Sequence, residues 1–265
     1  MGRTEGKTAE RTVPVLMYHG VVSSADSVPQ RREPGAELYD VPRHQFDRQM
    51  RWLSDQGYRG GLLEEEAGNG SPLVVVTFDD GEMNNFTEAL PVLKKYGFKA
   101  YFFVISRQIG RSGYMGWPEL RALMGEGMVI GSHGLTHEIL TNITDIQMEE
   151  ELAASKRHLE RNLETEITSL SIPRGFFNEK IIRKAREVGY KHIFISDRPP
   201  GLRSACHERL AVKGRWSEEH FVRMLRGETP WTQRVLEQGK RKIKWVLTDT
   251  GYNRFRTMVL KVLGS

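Results

Sequence analysis

Residues Leu73–Ile105 read LVVVTFDDGEMNNFTEALPVLKKYGFKAYFFVI, an apolar run of strand length, an amphipathic stretch ending at Gly97, and a second apolar run. Strand, helix and strand in this order make a parallel unit. Working outward, the alternation repeats. Upstream lie VPVLMYH (from Val13) and HQFDRQMRWLSDQGY (from His44). Downstream come WPELRALMGEG (from Trp117), MVIGSH (from Met128), a long helical pattern over Asp145–Leu163, ITSLSIP (from Ile167), EKIIRKAREVGY (from Glu179) and HIFIS (from His192). Short apolar strands separated by helices predict a mainly parallel sheet covered on both faces, either closed as a barrel or open. Gly57, Gly97, Gly127 and Gly189 each stand where a helix would end in a left-handed cap. The polar, Pro- and Gly-rich stretch Ser23–Val41 reads as a long surface loop that borders a binding site or is disordered.

The 265 residues, 38% of them hydrophobic, suffice for one large domain. A single cysteine, Cys206, excludes an intrachain disulfide and leaves His and carboxylate as the ligands for any metal. The N-terminal MGRTEGKTAERT carries no apolar core, and no run of 18 apolar residues occurs, so a soluble, cytoplasmic protein is expected. The net charge of +5 is uneven. From Gly201 onward there are 14 Lys+Arg against 6 Asp+Glu, leaving 25 against 28 before it. The basic tail (KRKIKW, then RFRTMVLKVL) suits peripheral contact with anionic membrane, although a solvated helix face is the simpler reading. Zinc-finger spacing, an aromatic RNA-binding motif and a basic region feeding heptads are all missing, which speaks against nucleic acid.

Chemistry is sought where strands end, because in parallel folds the working residues gather there. LVVVTF breaks into Asp79-Asp80-Gly81, two carboxylates that no core accepts without partners. They can divide labour as metal ligand and base, or simply form an acidic turn. MVIGSHGLTH supplies His133 and His137 at a spacing of four, close enough for both rings to reach one ion. Two imidazoles and a carboxylate leave coordination positions open for water and substrate. Ser171-Ile172-Pro173-Arg174-Gly175 follows a third strand, where it lines a groove or forms a plain turn. His19 closes the first strand and is a candidate for substrate contact or proton transfer.

In order and spacing, TFDDG (Thr77–Gly81), SHGLTH (Ser132–His137) and IPRG (Ile172–Gly175), with VLMYHGV before them and EVGY after, resemble the polysaccharide deacetylases, the NodB-like carbohydrate esterases. Within that family the chain looks most similar to members of exopolysaccharide biosynthesis. The resemblance implies a distorted (β/α) barrel of about seven parallel strands over residues 13–212. Residues 213–265 are left as a basic helical extension packed on or beside it. It also implies a divalent metal on Asp80, His133 and His137, zinc first, with cobalt, nickel and manganese as alternatives, and Asp79 as general base. An N-acetylated carbohydrate is the implied substrate, with Pro173, Arg174, Gly175 and His19 beside it.

Three departures from the family pattern stand out. Gly134 occupies a place where Ser or Thr is usual, so a hydrogen bond inside that loop is expected to be missing. Ser171 stands where an arginine commonly steadies the base, and Arg174 replaces an aromatic. The later motifs that carry the general acid find no match, leaving His19, His192 and His207 as nominees; the segment ACHERLAV instead offers a strand with Arg209 near the site. Rival functions are a non-catalytic carbohydrate-binding relative and a metal-dependent amidase acting on a non-sugar amide.

Overall fold

The computed structural model describes residues 13–24, 28–30, 32–33, 35–63, 71–198 and 201–228. Its strands are β1 (Val15–Tyr18), β2 (Val21–Val22), β3 (Val41–Pro42), β4 (Arg59–Gly60), β5 (Leu73–Phe78), β6 (Ala100–Val104), β7 (Val129–Ser132), β8 (Ser169–Ser171), β9 (His192–Ile195), β10 (His207–Glu208) and β11 (Leu210–Ala211). The helices are α1 (Arg43–Asp55), α2 (Leu90–Tyr96), α3 (Trp117–Gly125), α4 (Asp145–Leu163), α5 (Glu179–Val188) and α6 (Glu218–Leu225). The main sheet is parallel and runs β10-β9-β8-β7-β6-β5-β1-β11, with β4 added on β5. Only Arg209 separates β10, which pairs with β9, from β11, which pairs with β1. Residues 207–211 therefore act as a single stave between the first and the last, and the barrel of about seven strands nearly closes.

Side chains alternate across each strand, and the two faces carry different cores. Leu16, Tyr18, Val74, Val76, Phe78 and Phe102 face the helices in the larger core. Val15, Val75, Tyr101, Phe103 and Phe194 fill the barrel interior, with the Tyr101 and Phe103 rings each about 5 Å from Phe194. Continuing the inward column by two residues at each strand end leads from Val75 to Thr77 and Asp79, and from Val15 to Met17 and His19. The same period on β7 and β8 carries the inward face to His133 and Ser171. The barrel's stopper is apolar and its mouth is polar.

Local signals explain where the helices begin and end. Thr144 and Gln147 form a capping box ahead of α4, and Asn178 caps α5 through Ile181 N–H. Gly57, Gly97, Gly127 and Gly189 all have the positive φ expected of them. A single π turn, Asn85–Ala89, precedes α2. It directs Asn85 Nδ2 to the carbonyl of His19 at 2.7 Å, while Asn84 Oδ1 accepts from Val21 N–H at 3.1 Å, so the first strand's exit is fastened to the segment after Asp79-Asp80. Of the C-terminal extension, α6 rests on α1 through buried Phe221, whose ring meets Trp52 edge-on at 6.5 Å. The basic stretches from Lys240 onward lie outside the described residues. Among the described residues no helix is long and apolar enough to cross a membrane.

Candidate metal centre and catalytic carboxylate

Asp79 is 2% exposed, yet it is fully engaged. Arg209 grips it with two parallel bonds, Nη1 to Oδ1 and Nη2 to Oδ2, both 2.8 Å, and Ser171 Oγ donates to Oδ2 at 3.2 Å. Arg209 also donates to Ser171 Oγ at 2.8 Å and to Thr77 Oγ1 at 3.2 Å. Burial alone would raise the Asp79 carboxyl, but the Arg209 charge and the nearby His133 outweigh it and hold the group well below the usual carboxylate range. Asp79 is thus an ionised carboxylate fixed in orientation. Its arginine enters from the closing stave, where the family pattern would place one at Ser171.

Asp80 is in a different position. Its backbone is left-handed (φ 74°), and Gly81 continues the turn at φ 78° with so little room that a Cβ would meet Val104 Cγ1 at 2.9 Å. This turn aims Asp80 away from Asp79's partners and toward two histidines. His133 Nε2 lies 3.5 Å and His137 Nε2 3.6 Å from Asp80 Oδ1. That oxygen is buried and accepts no hydrogen bond. Burial raises the Asp80 carboxyl, and the His137, His19 and His133 charges more than reverse this, leaving it lowered.

Both rings are oriented through their other nitrogen. His133 Nδ1–H donates to the Ser171 carbonyl at 2.9 Å, leaving its Nε2 lone pair toward Asp80. Burial brings His133 down to about 4, so it is neutral at pH 7. His137, at φ 73°, donates from Nδ1 to Glu33 Oε1 at 3.1 Å. Burial lowers His137, but the Glu33 hydrogen bond and the Asp80 charge leave it raised. One atom from each of Asp80, His133 and His137 falls within 4.8 Å of the others. An orphaned buried carboxylate oxygen facing two oriented imidazole nitrogens fits a divalent cation.

The loop between the histidines is held by residues the sequence did not announce. Glu151 on α4 accepts from Leu135 N–H and Thr136 N–H, each at 3.0 Å, and from Thr136 Oγ at 2.6 Å. Ser155, one turn on, bonds Ser132 Oγ at 2.6 Å and donates to the Gly134 carbonyl at 3.1 Å. Gly134, which has no side chain to contribute, donates its N–H to Ser132 Oγ at 3.1 Å, and α4 supplies the other bonds that hold the loop. Gly134 itself (φ 78°) sits under Pro173, and a Cβ there would meet Pro173 Cγ at 3.1 Å and Glu151 Oε2 at 3.3 Å. Both α4 residues lie on the helix's buried stripe with Met148, Leu152 and Leu159, a polar pair on an apolar face, and that pattern is a legible signal.

The remaining nominated residues divide. Arg174, left-handed at φ 58°, forms an ion pair with Glu33 on the Ser23–Val41 segment, which therefore borders the site. Pro173 has no N–H and the Gly175 N–H bonds the Ile172 carbonyl at 3.3 Å, so these two amides are not donors toward a substrate. His19 stands at the rim, its ring 4.8 Å from that of Tyr39, with a buried Nδ1 that makes no hydrogen bond. His192 pairs in register with Ser169, one layer below the Ser171–Phe194 level, and the His207 ring lies 5.6 Å from it, tilted by 34°. The structure brings His19 to the mouth and leaves His192 beneath it.

A paired carboxylate beside a carboxylate-dihistidine cluster, at the C-terminal mouth of a parallel barrel, defines a candidate centre for metal-assisted hydrolysis. Residues 67–193 match the family described as polysaccharide deacetylase. It is 32% identical over 186 residues to YxkH of Bacillus subtilis, a protein named for polysaccharide deacetylation, covering 68% of this chain and 62% of that one. It is 27% identical over 137 residues to the peptidoglycan-N-acetylglucosamine deacetylase of Bacillus cereus, covering 51% and 62%. A crystal structure of a Bacillus cereus polysaccharide deacetylase superposes with a TM-score of 0.67 at 25% identity, covering 80% of this chain and 68% of that one. The chain spans about 62% of the length of both curated relatives.

Proposed function

We propose that this chain is a divalent-metal-dependent N-deacetylase acting on an N-acetylated amino sugar held in a polysaccharide, oligosaccharide or lipid-linked glycan. The observation that carries the reading is the orphaned Asp80 Oδ1 facing His133 Nε2 and His137 Nε2, next to a carboxylate that is ionised and already partnered. A divalent ion, zinc by preference of a His-His-Asp set, would be held by Asp80, His133 and His137 and would polarise the amide carbonyl and acidify water.

The protein's own residues account for the rest. Asp79 accepts the proton of the attacking water. Arg209 and Ser171 keep its carboxylate ionised and turned toward the His133 side. A carboxylate held this low is too weak a base for ordinary water, so the reading requires water that is already acidified. In this reading His19, the nominated histidine at the mouth, hands a proton to the departing amine. Water adds to the acyl carbon, the C–N bond breaks, and acetate and a free amino sugar leave. The reading as a non-catalytic binder drew on the unmatched acid and the missing arginine; Arg209 on Asp79 speaks against the second ground, and the assignment of the acid to His19 answers the first.

The experiment is acetate release from N-acetylglucosamine oligomers and lipid-linked N-acetyl sugars by zinc- or cobalt-loaded protein. Turnover is expected, chelation is expected to abolish it, and restoring the metal to recover it. Full turnover by verified metal-free protein, or sugar binding with no acetate from any metal-loaded form, would overturn the proposal.

A further inference from the structure

His133 and His137 are oriented by different means. His133 is served by the Ser171 carbonyl, part of the barrel wall. His137 is served by the Glu33 carboxylate, which comes from a loop 104 residues away in sequence. Among the described residues only four besides glycine have positive φ, and three of them, Asp80, His137 and Arg174, surround this contact. Strained backbone of this kind persists where surrounding contacts impose it. Here the contacts are explicit. Arg174 reaches the same Glu33 oxygen that His137 uses. On the loop side Arg32 grips Asp40 at 2.7 and 2.6 Å and reaches Glu82 at 2.8 Å, which anchors the residue next to Glu33.

We infer that Glu33 is a positioning residue for the metal centre: its carboxylate fixes the ring rotation and tautomer of His137 and makes that imidazole the stronger donor, while Arg174 and Arg32 hold Glu33 in place. The inference deepens the metal-centre reading given above and rests on it. A carboxylate accepting from Nδ1–H leaves the Nε2 lone pair directed at Asp80 and raises the electron density of the ring. A backbone carbonyl, as on His133, does the first of these and less of the second. The Ser23–Val41 loop thereby controls how tightly the centre holds its cation, although none of its described residues is among the proposed ligands.

The test measures zinc affinity by competition with a chromophoric chelator and reads the His137 tautomer by nitrogen-15 NMR of the metal-free protein. Glu33→Ala is expected to weaken zinc binding by about 10–100-fold and to leave His137 a mixture of tautomers. Glu33→Gln, whose amide oxygen still accepts from Nδ1–H, is expected to keep the native tautomer and to fall between Glu33→Ala and the parent in affinity. An unchanged dissociation constant in Glu33→Ala overturns the inference and leaves the metal-centre reading standing. Equal weakening in both variants with His137 in its native tautomer assigns the loss to a loosened loop and also overturns it. Failure of the parent itself to bind zinc, cobalt, nickel or manganese overturns the metal-centre reading and this inference together.

Discussion

The floor of the site and its rim treat two adjacent carboxylates in opposite ways. On the floor, Asp79 receives three hydrogen bonds from Arg209 and Ser171. At the rim, Asp80 Oδ1 is also enclosed but receives none, and two imidazole nitrogens lie 3.5 and 3.6 Å from it. Desolvation pushes both carboxyls up. The difference comes from the turn, since Asp79 keeps the inward direction of β5 while the left-handed backbone of Asp80 points it elsewhere. One charge is balanced by the protein, and the other is the one the proposed cation would balance.

The sharpest way to break that comparison is to neutralise each carboxylate in turn. Asp79→Asn should keep the ion at near-parent occupancy while turnover falls by about 10²–10⁴-fold, the usual worth of a positioned base. Asp80→Asn should lose the ion itself, read by metal analysis after gel filtration. If both variants lose metal equally, the floor and rim do not divide the work.

A smaller effect is expected in stability when the floor's balancing charge is removed. Arg209→Met leaves Asp79 buried without its cation and should cost about 3–5 kcal/mol in urea unfolding at pH 7. The native Asp79 carboxyl is lowered relative to the unfolded chain, so the pair's stabilisation is present above about pH 4 and is lost as the pH falls through the native value. The gap between variant and parent should therefore narrow in acid. A gap independent of pH would assign the loss to packing against Phe103, whose ring lies 5.7 Å from the guanidinium.

The smallest effect tests how rigidly the rim is built. Gly134→Ala forces a side chain into a left-handed position beneath Pro173 and should cost about 1–2 kcal/mol in thermal unfolding. No loss would show that the loop between the histidines yields easily.

Much of the floor is legible in the sequence. The strand-helix alternation defines the barrel, and abrupt polar endings mark Asp79, Asp80, His133 and His137, because an apolar strand that breaks into charge must bring that charge to a partner at the barrel mouth. What stays hidden depends on contacts distant in sequence. Arg209 can be nominated but not given a role, since its grip on Asp79 requires residues 207–211 to return between β9 and β1. Glu151 looks like any glutamate on an amphipathic helix until the phase of Leu152 and Leu159 places it inside. Glu33 stands in a Pro- and Gly-rich stretch with no period at all, and only its ion pair with Arg174 and its bond to His137 single it out.

The stave that closes the barrel also has a bearing on the order in which the protein is made. Synthesis proceeds from the N-terminus, so Asp79, Asp80, His133 and His137 have all left the ribosome before residues 207–211 appear. A chain interrupted before that point carries the proposed base and every proposed ligand, but not the guanidinium that allows Asp79 to be buried as an anion. Completing the ring and completing the carboxylate's set of partners are one event, and a half-made chain is held back from both.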